Sequence, residues 1–167
     1  MLEIEPITPR SSSELLDQAR VLFRSYADFL RASGGPALVC FSRIDDEVAT
    51  LPAAYADKGG EVLLARDGAQ GAGCIAYRSM SPEDPAGCEI KRLFVSPAFR
   101  GQGIGKRLVV AALERARQNG YRTAILDTEP RSMRIAKQMY LDLGFVLDEE
   151  RNSRSENSLV TYLKKQL

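Results

Sequence analysis

Between residues 15 and 30 the apolar positions recur at helical spacing. Leu15, Ala19, Leu22, Phe23, Tyr26, Phe29 and Leu30 share one face, behind a serine cap and Glu14 in the first turn. Gly34, Gly35 and Pro36 end that helix. A second, shorter helix is predicted in "FSRIDDEVATLPAAYADKGG", ending near Pro52. The period then changes to that of strands. "EVLLA" and "GCIAYR" flank the Asp-Gly turn of "RDGAQGA" and read as an antiparallel hairpin, "SMSPEDPAG" as a loop, and "CEIKRLFV" as the next strand. In "GIGKRLVVAALERARQNG" the four-residue steps Leu108, Ala112 and Ala116 predict a helix closed at Asn119-Gly120. "RTAILDT" reads as a strand, "SMRIAKQMYLDLG" as a helix closed by Gly144, and "FVLDEE" and "SLVTYLKK" as two final strands.

The resulting order, α, α, β, β, β, α, β, α, β, β, combines a hairpin with helical crossovers. It therefore predicts an α/β chain with a mixed sheet and helices on its faces. A length of 167 residues at 44% hydrophobic content suits one core, and no repeat or linker divides the chain, so residues 1–167 are expected to form a single domain. Lys and Arg total 23 against 22 Asp and Glu. That balance gives no electrostatic argument for nucleic acid or an anionic membrane. No apolar run approaches the roughly 20 residues of a membrane span, and the N-terminus "MLEIEPITPR" carries acids where a secretory signal has a base. A cytoplasmic location is expected.

Cys40, Cys74 and Cys88 are an odd set without a C-x-x-C pair and read as small packing residues. The chain has no histidine. Ser-His-Asp and Cys-His hydrolases, His-ligated metal centres and imidazole proton shuttles are thereby excluded, and no metal is expected. Acid–base chemistry falls to carboxylates, tyrosine, lysine, cysteine or water.

"FRGQGIGK", Phe99 to Lys106, places three glycines at a strand-to-helix junction. A dinucleotide fingerprint starting at Gly101 needs glycine at Lys106. A Walker A loop ending at Gly105-Lys106 needs glycine at Arg100 and Ser or Thr at Arg107. Both fail. What remains is R-x-x-G-x-G, Arg100 to Gly105, whose glycines admit an anion close to the backbone at a helix N-terminus. Arg100, Lys106 and Arg107 add positive charge, and a pyrophosphate fits the pattern.

"KRLFVSPAFRGQGIGKRLVVAALERARQNGYRTAILDT" followed by "RIAKQMYLDLGF" resembles the GNAT superfamily of N-acetyltransferases. That family's acetyl-CoA motif is (Q/R)-x-x-G-x-(G/A), and its later helix carries A-x-x-(L)-Y-x-x-x-G-F. The resemblance runs from about Glu89 to Phe145, with both motifs at the family's separation. It implies a twisted, mostly antiparallel mixed sheet with a splayed central parallel pair, flanked by helices. It also implies acetyl-CoA as co-substrate, with Leu93, Phe94 and Val95 along the pantetheine arm and the pyrophosphate on Arg100, Gly101, Gln102, Gly103, Ile104, Gly105 and Lys106.

The implied reaction is transfer of the acetyl group to a primary amine by direct attack in a ternary complex. A backbone N–H of Val95 or Phe94 would polarise the thioester carbonyl, and Tyr140 stands where the family's general acid stands. Glu89 is the leading candidate for the base, with Asp127 a weaker one. Met133 replaces the asparagine that many members use to hold the arm, and Arg131, Arg134 and Lys137 are within the segment that would reach the ribose phosphate. The acceptor, a small-molecule or peptide amine, would meet Tyr26, Phe29, Phe41, "RIDDEV" with its acids Asp45, Asp46 and Glu47, and "LDEERNSRSEN". Many members dimerise, so a homodimer is among the implications. The reading from a different class is an acyl-CoA-binding sensor or scaffold without turnover.

Overall fold

The computed structural model describes residues 1–32, 44–128, 134–156 and 160–167. The strands are β1 (Leu2–Ile7), β2 (Glu61–Asp67), β3 (Gln70–Ser81), β4 (Asp84–Val95), β5 (Thr123–Thr128), β6 (Val146–Leu147) and β7 (Thr161–Gln166). The helices are α1 (Ser13–Ala32), α2 (Ile44–Ala49), α3 (Ala53–Ala56), α4 (Ile104–Gln118), α5 (Arg134–Asp142) and α6 (Glu149–Arg154). The strands form one seven-stranded sheet in the order β1-β2-β3-β4-β5-β7-β6. Only β4 and β5 run parallel, and every other neighbouring pair is antiparallel. The mixed sheet with a central parallel pair is the expected one.

Helix α1 begins where Ser12 Oγ accepts the Leu15 N–H at 3.3 Å, and it buries Ala19, Leu22, Phe23, Ala27 and Leu30. With α3 it covers the sheet face carrying Val62, Leu64, Cys74 and Phe94. Helix α4 buries Leu108, Val109, Ala112 and Ala116 on the opposite face, against Leu63, Ile75, Tyr77, Cys88 and Ile90. A fully buried aliphatic side chain contributes about 1.5–3 kcal/mol, so both faces hold the central strands. That is why "EVLLA" reads as a continuous apolar run.

One strand is added and three expectations change. The alternating "LEIEPI" forms edge strand β1, antiparallel to β2, where Pro6 is tolerated. The shorter helix is two helices, split around Pro52. The "SMSPEDPAG" loop is instead a tight hairpin, with Ser81 opposite Asp84. "FVLDEE" is strand only at Val146–Leu147, because Asp148 accepts the Arg151 N–H at 3.3 Å and caps a helix with Glu149 and Glu150 in its first turn.

Candidate active site

The β4 strand leads into the glycine turn. Ser96 N–H donates to Ala72 O at 2.9 Å, one 3-10 turn covers Pro97–Phe99, and the chain then passes Gly101 and Gly103 at φ 80° and 73°. Gly103 is the N-cap of α4, with no side chain capping it, and Arg107 N–H closes the first helical bond onto Gly103 O at 3.1 Å. The N–H groups of Ile104, Gly105 and Lys106 therefore have no acceptor within the helix. A Cβ at Gly101 or Gly103 would meet nothing within 4 Å. A Cβ at Gly105 would lie 3.7 Å from both Met139 Sδ and Val95 Cγ2, so the turn, the end of β4 and α5 converge there. Ile104 is buried and anchors the turn, while Gln102 and Lys106 are exposed. Diphosphate chemistry fits this donor set: open, positively polarised main-chain N–H groups with a lysine beside them.

The neighbouring arginines are directed elsewhere. Arg100 Nε donates to Val95 O at 3.1 Å, and its guanidinium lies 5.3 Å and 5.8 Å from the ring centres of Phe29 and Phe94. Arg107 Nη2 donates to Leu2 O at 3.2 Å. Of the three cations read beside the turn, Lys106 alone has no such contact among the described residues.

The parallel pair separates as the resemblance implies. β4 matches β5 at Gly87, Cys88 and Glu89 and no further, whereas β5 stays paired with β7 to Thr128. A bulge follows. Cys74 opposes Phe94 and Ala76 opposes Lys91, which leaves Arg92 and Leu93 against a single residue of β3, with Arg92 at φ 61°. The extra residue reverses the faces. Cys88 and Ile90 pack on the α4 side, whereas Arg92 and Phe94 point to the α1 side and Leu93 and Val95 turn to the α4 side. Since Ser96 N–H points at β3, strand alternation directs the Phe94 amide to β3 and those of Leu93 and Val95 to the open edge. Of the two amides named for the thioester carbonyl, Val95 faces the separation.

Tyr140 is 7% exposed, packs edge-on against Phe145 at 5.6 Å, and its hydroxyl makes no hydrogen bond with the described residues. Burial, then the charges of Tyr26 and Asp127, push its phenol well above the ordinary value. The proton stays on oxygen, as a donor to a leaving sulfur requires.

Glu89 is held by two cations. Its Oε1 accepts from Arg78 Nε at 2.6 Å, and Oε2 lies 3.6 Å from Lys91 Nζ. Arg78 also lies 3.9 Å from Glu47, a buried carboxylate that accepts from Arg92 Nε at 2.9 Å, Arg92 Nη2 at 3.1 Å and the Tyr55 hydroxyl at 2.8 Å. Burial alone would raise Glu47; the Arg92 hydrogen bonds and charge, Tyr55 and Arg78 outweigh it and keep the carboxyl below the ordinary value. Of the acidic run, Asp45 and Asp46 are exposed, but Glu47 turns inward. Sequence reasoning missed this network, because its members come from α2, α3, β3 and β4 and nothing local marks them. Burial also removes thiol reactivity, raising Cys74 and pushing Cys88 up to about 12.

The acceptor-side expectations divide. Tyr26 and Phe29 lie 6.3 Å and 6.4 Å from the Phe94 ring. Within "LDEERNSRSEN", the residues Asp148, Glu150, Arg151, Arg154 and Ser155 join Tyr162 around a cleft of about 390 Å³. Phe41, Cys40, Arg131 and Met133 lie outside the described residues. Among the described residues no cluster of His, Cys, Asp or Glu is arranged to hold a metal, and no helix is long and apolar enough to cross a membrane.

The chain is similar to known proteins in sequence and in fold. The family model for the acetyltransferase (GNAT) family matches residues 22–145. An uncharacterized N-acetyltransferase of Schizosaccharomyces pombe is 34% identical over 110 residues, covering 65% of this chain and 66% of that protein. The uncharacterized N-acetyltransferase YjgM of Escherichia coli is 36% identical, covering 45% of this chain and 43% of YjgM. Rat N-acetyltransferase 8B is also 36% identical, covering 59% and 46%. The matched regions thus span from under half to about two thirds of these relatives' own lengths. In fold, the chain is similar to PaiA N-acetyltransferase of Thermoplasma acidophilum, solved in complex with coenzyme A (TM-score 0.74, 17% identity, 100% and 99% coverage). It is likewise similar to YncA of Salmonella typhimurium, solved with acetyl-CoA (TM-score 0.72, 15% identity, 100% and 94% coverage). With the open glycine turn, the parted central strands and a family match over most of its length, this chain belongs to the acetyltransferase (GNAT) family.

Proposed function

We propose that the chain is an N-acetyltransferase that takes its acetyl group from acetyl-CoA and delivers it to a primary amine of a small molecule or peptide. The observation that carries the reading is the uncapped start of α4, open at Gly101 and Gly103 and set at the end of a strand that has left its parallel neighbour. The complexes of the PaiA and YncA relatives with coenzyme A and acetyl-CoA support it.

Arg100 to Lys106 would hold the diphosphate, and Leu93, Phe94 and Val95 would line the arm. The bound co-substrate supplies an activated thioester. Val95 N–H polarises the carbonyl oxygen, and Tyr140, kept protonated by burial, donates to the departing sulfur. Glu89 and Asp127 are the carboxylates on the α1 side of the parted strands, and the amine's proton leaves through one of them. Buried Cys74 and Cys88 are poor nucleophiles, which favours direct attack by the amine.

Calorimetry with coenzyme A, followed by thiol release over a panel of amines with product mass, tests the proposal. Binding with acceptor-dependent thiol release is the expected result. Folded protein that fails to bind coenzyme A overturns it, and binding without turnover for any amine favours a sensor.

A further inference from the structure

Glu89 and Asp127 differ in what surrounds them. Glu89 presents both oxygens to cations, Arg78 at 2.6 Å and Lys91 at 3.6 Å. Asp127 is exposed and makes neither a hydrogen bond nor an ion pair among the described residues. The sheet places it further into the wedge. Glu89 and Ile125 are the last matched positions of β4 and β5, and Asp127 follows two residues later, on the same face as Ile125. That is the α1 face, where the amine would enter. The Tyr140 phenol is raised by its burial first, and the charges of Tyr26 and then Asp127 add to that. The fold thus brings to the parted strands a carboxylate and a buried phenol that have no hydrogen-bond partner among the described residues, beside the open edge of β4.

We propose that Asp127, rather than Glu89, receives the amine's proton and returns it to Tyr140; this rests on the acetyl-transfer reading. The amine nitrogen forms the new C–N bond with the acetyl carbon as the C–S bond breaks. The nitrogen's surplus proton passes to Asp127, directly or through water, and the sulfur takes the Tyr140 proton. Asp127 then passes its proton to the Tyr140 oxygen, so amide and free thiol leave with both side chains restored. Glu89 is a positioning residue that fixes Arg78 and Lys91.

Asp127→Asn, Asp127→Ala and Glu89→Gln test this. In Asp127→Asn, kcat is expected to fall about 100-fold or more, with coenzyme A affinity within about twofold of wild type by calorimetry. Added formate should restore part of the activity of Asp127→Ala, which a purely structural role does not allow. Glu89→Gln should keep kcat within about tenfold of wild type. The readout independent of turnover is NMR of protein labelled at tyrosine Cζ, with the Tyr140 signal assigned by its loss in Tyr140→Phe. Asp127→Asn should move the Tyr140 titration to lower pH, while Glu89→Gln leaves it in place. The other titratable and charged groups on this face or facing it are Glu89, Lys91 and Arg92 on β4, Arg78 on β3, Tyr162 and Lys164 on β7, Glu47 on α2 and Tyr26 on α1, and unchanged Tyr26 and Tyr162 signals would localise the effect. An Asp127→Asn enzyme with wild-type kcat, or a Tyr140 signal indifferent to it, overturns the assignment. If wild type itself releases no thiol with any amine, the acetyl-transfer reading falls first, a result visible before any substitution.

Discussion

Arg92 donates twice to Glu47, Nε to Oε2 at 2.9 Å and Nη2 to Oε1 at 3.1 Å, from a backbone at φ 61°. The bulge of β4 is thereby tied to α2, on the far side of the sheet from the glycine helix. Removing one partner strands a buried charge, so Arg92→Ala should cost about 3–5 kcal/mol by urea unfolding. The same substitution should weaken coenzyme A binding, because the bulge sets which amides face the open edge.

The same pair makes stability depend on acid. Glu47 is lower in the folded state than in the unfolded chain, where a glutamate titrates near pH 4.3. Its contribution is complete above that value and is lost as pH falls through the folded-state value. Unfolding free energies at pH 7 and pH 3 should therefore converge more in Glu47→Gln than in wild type. An equal loss on acidification in both proteins would show that this carboxyl is not depressed.

Two glycines of the turn should respond differently. Gly103 sits at φ 73° with open space around it, so Gly103→Ala adds about 1–2 kcal/mol of backbone strain and no clash. Because the new Cβ projects beside the free N–H groups, coenzyme A affinity should also fall about tenfold by calorimetry. At Gly105 a Cβ meets ordinary contacts at 3.7 Å. Gly105→Ala should keep its melting temperature within a few degrees of wild type.

Tyr140→Phe removes a hydroxyl that has no partner among the described residues. Stability should change by less than about 1 kcal/mol, while kcat falls about 100-fold. Because burial raises the phenol, the wild-type rate should show no alkaline loss from Tyr140 below about pH 10. A Tyr140→Phe enzyme matching wild type across pH would end the donor role.

Gly60 is a constraint of space alone. A Cβ there would lie 1.9 Å from Tyr77 O and 2.6 Å from Arg78 Cα, both backbone atoms. Gly60→Ala should cost about 3 kcal/mol by urea unfolding, and Gly68→Ala, at an open turn, should cost less.

Helices and strands with a clean period were legible before any coordinates. Leu108, Ala112 and Ala116 are all fully buried, and Tyr26 and Phe29, read onto one face of α1, both lie beside Phe94. The misses share a cause. Strand β1 owes its place to its pairing with β2, and the Asp148 cap outcompeted a strand that local composition favoured.

The glycine turn was determined locally, since positive φ at Gly101 and Gly103 and a helix start without a capping side chain are properties of a few consecutive residues. The surroundings of the carboxylates were not. Whether Glu89 is free, whether Glu47 faces water, and which amides of β4 lie open depend on Arg78, Arg92 and a one-residue bulge, which meet only when distant segments pack. Periodicity reports which face a residue prefers, whereas an ion pair or a change of register is decided by the partner strand, and that partner exists only in the folded sheet.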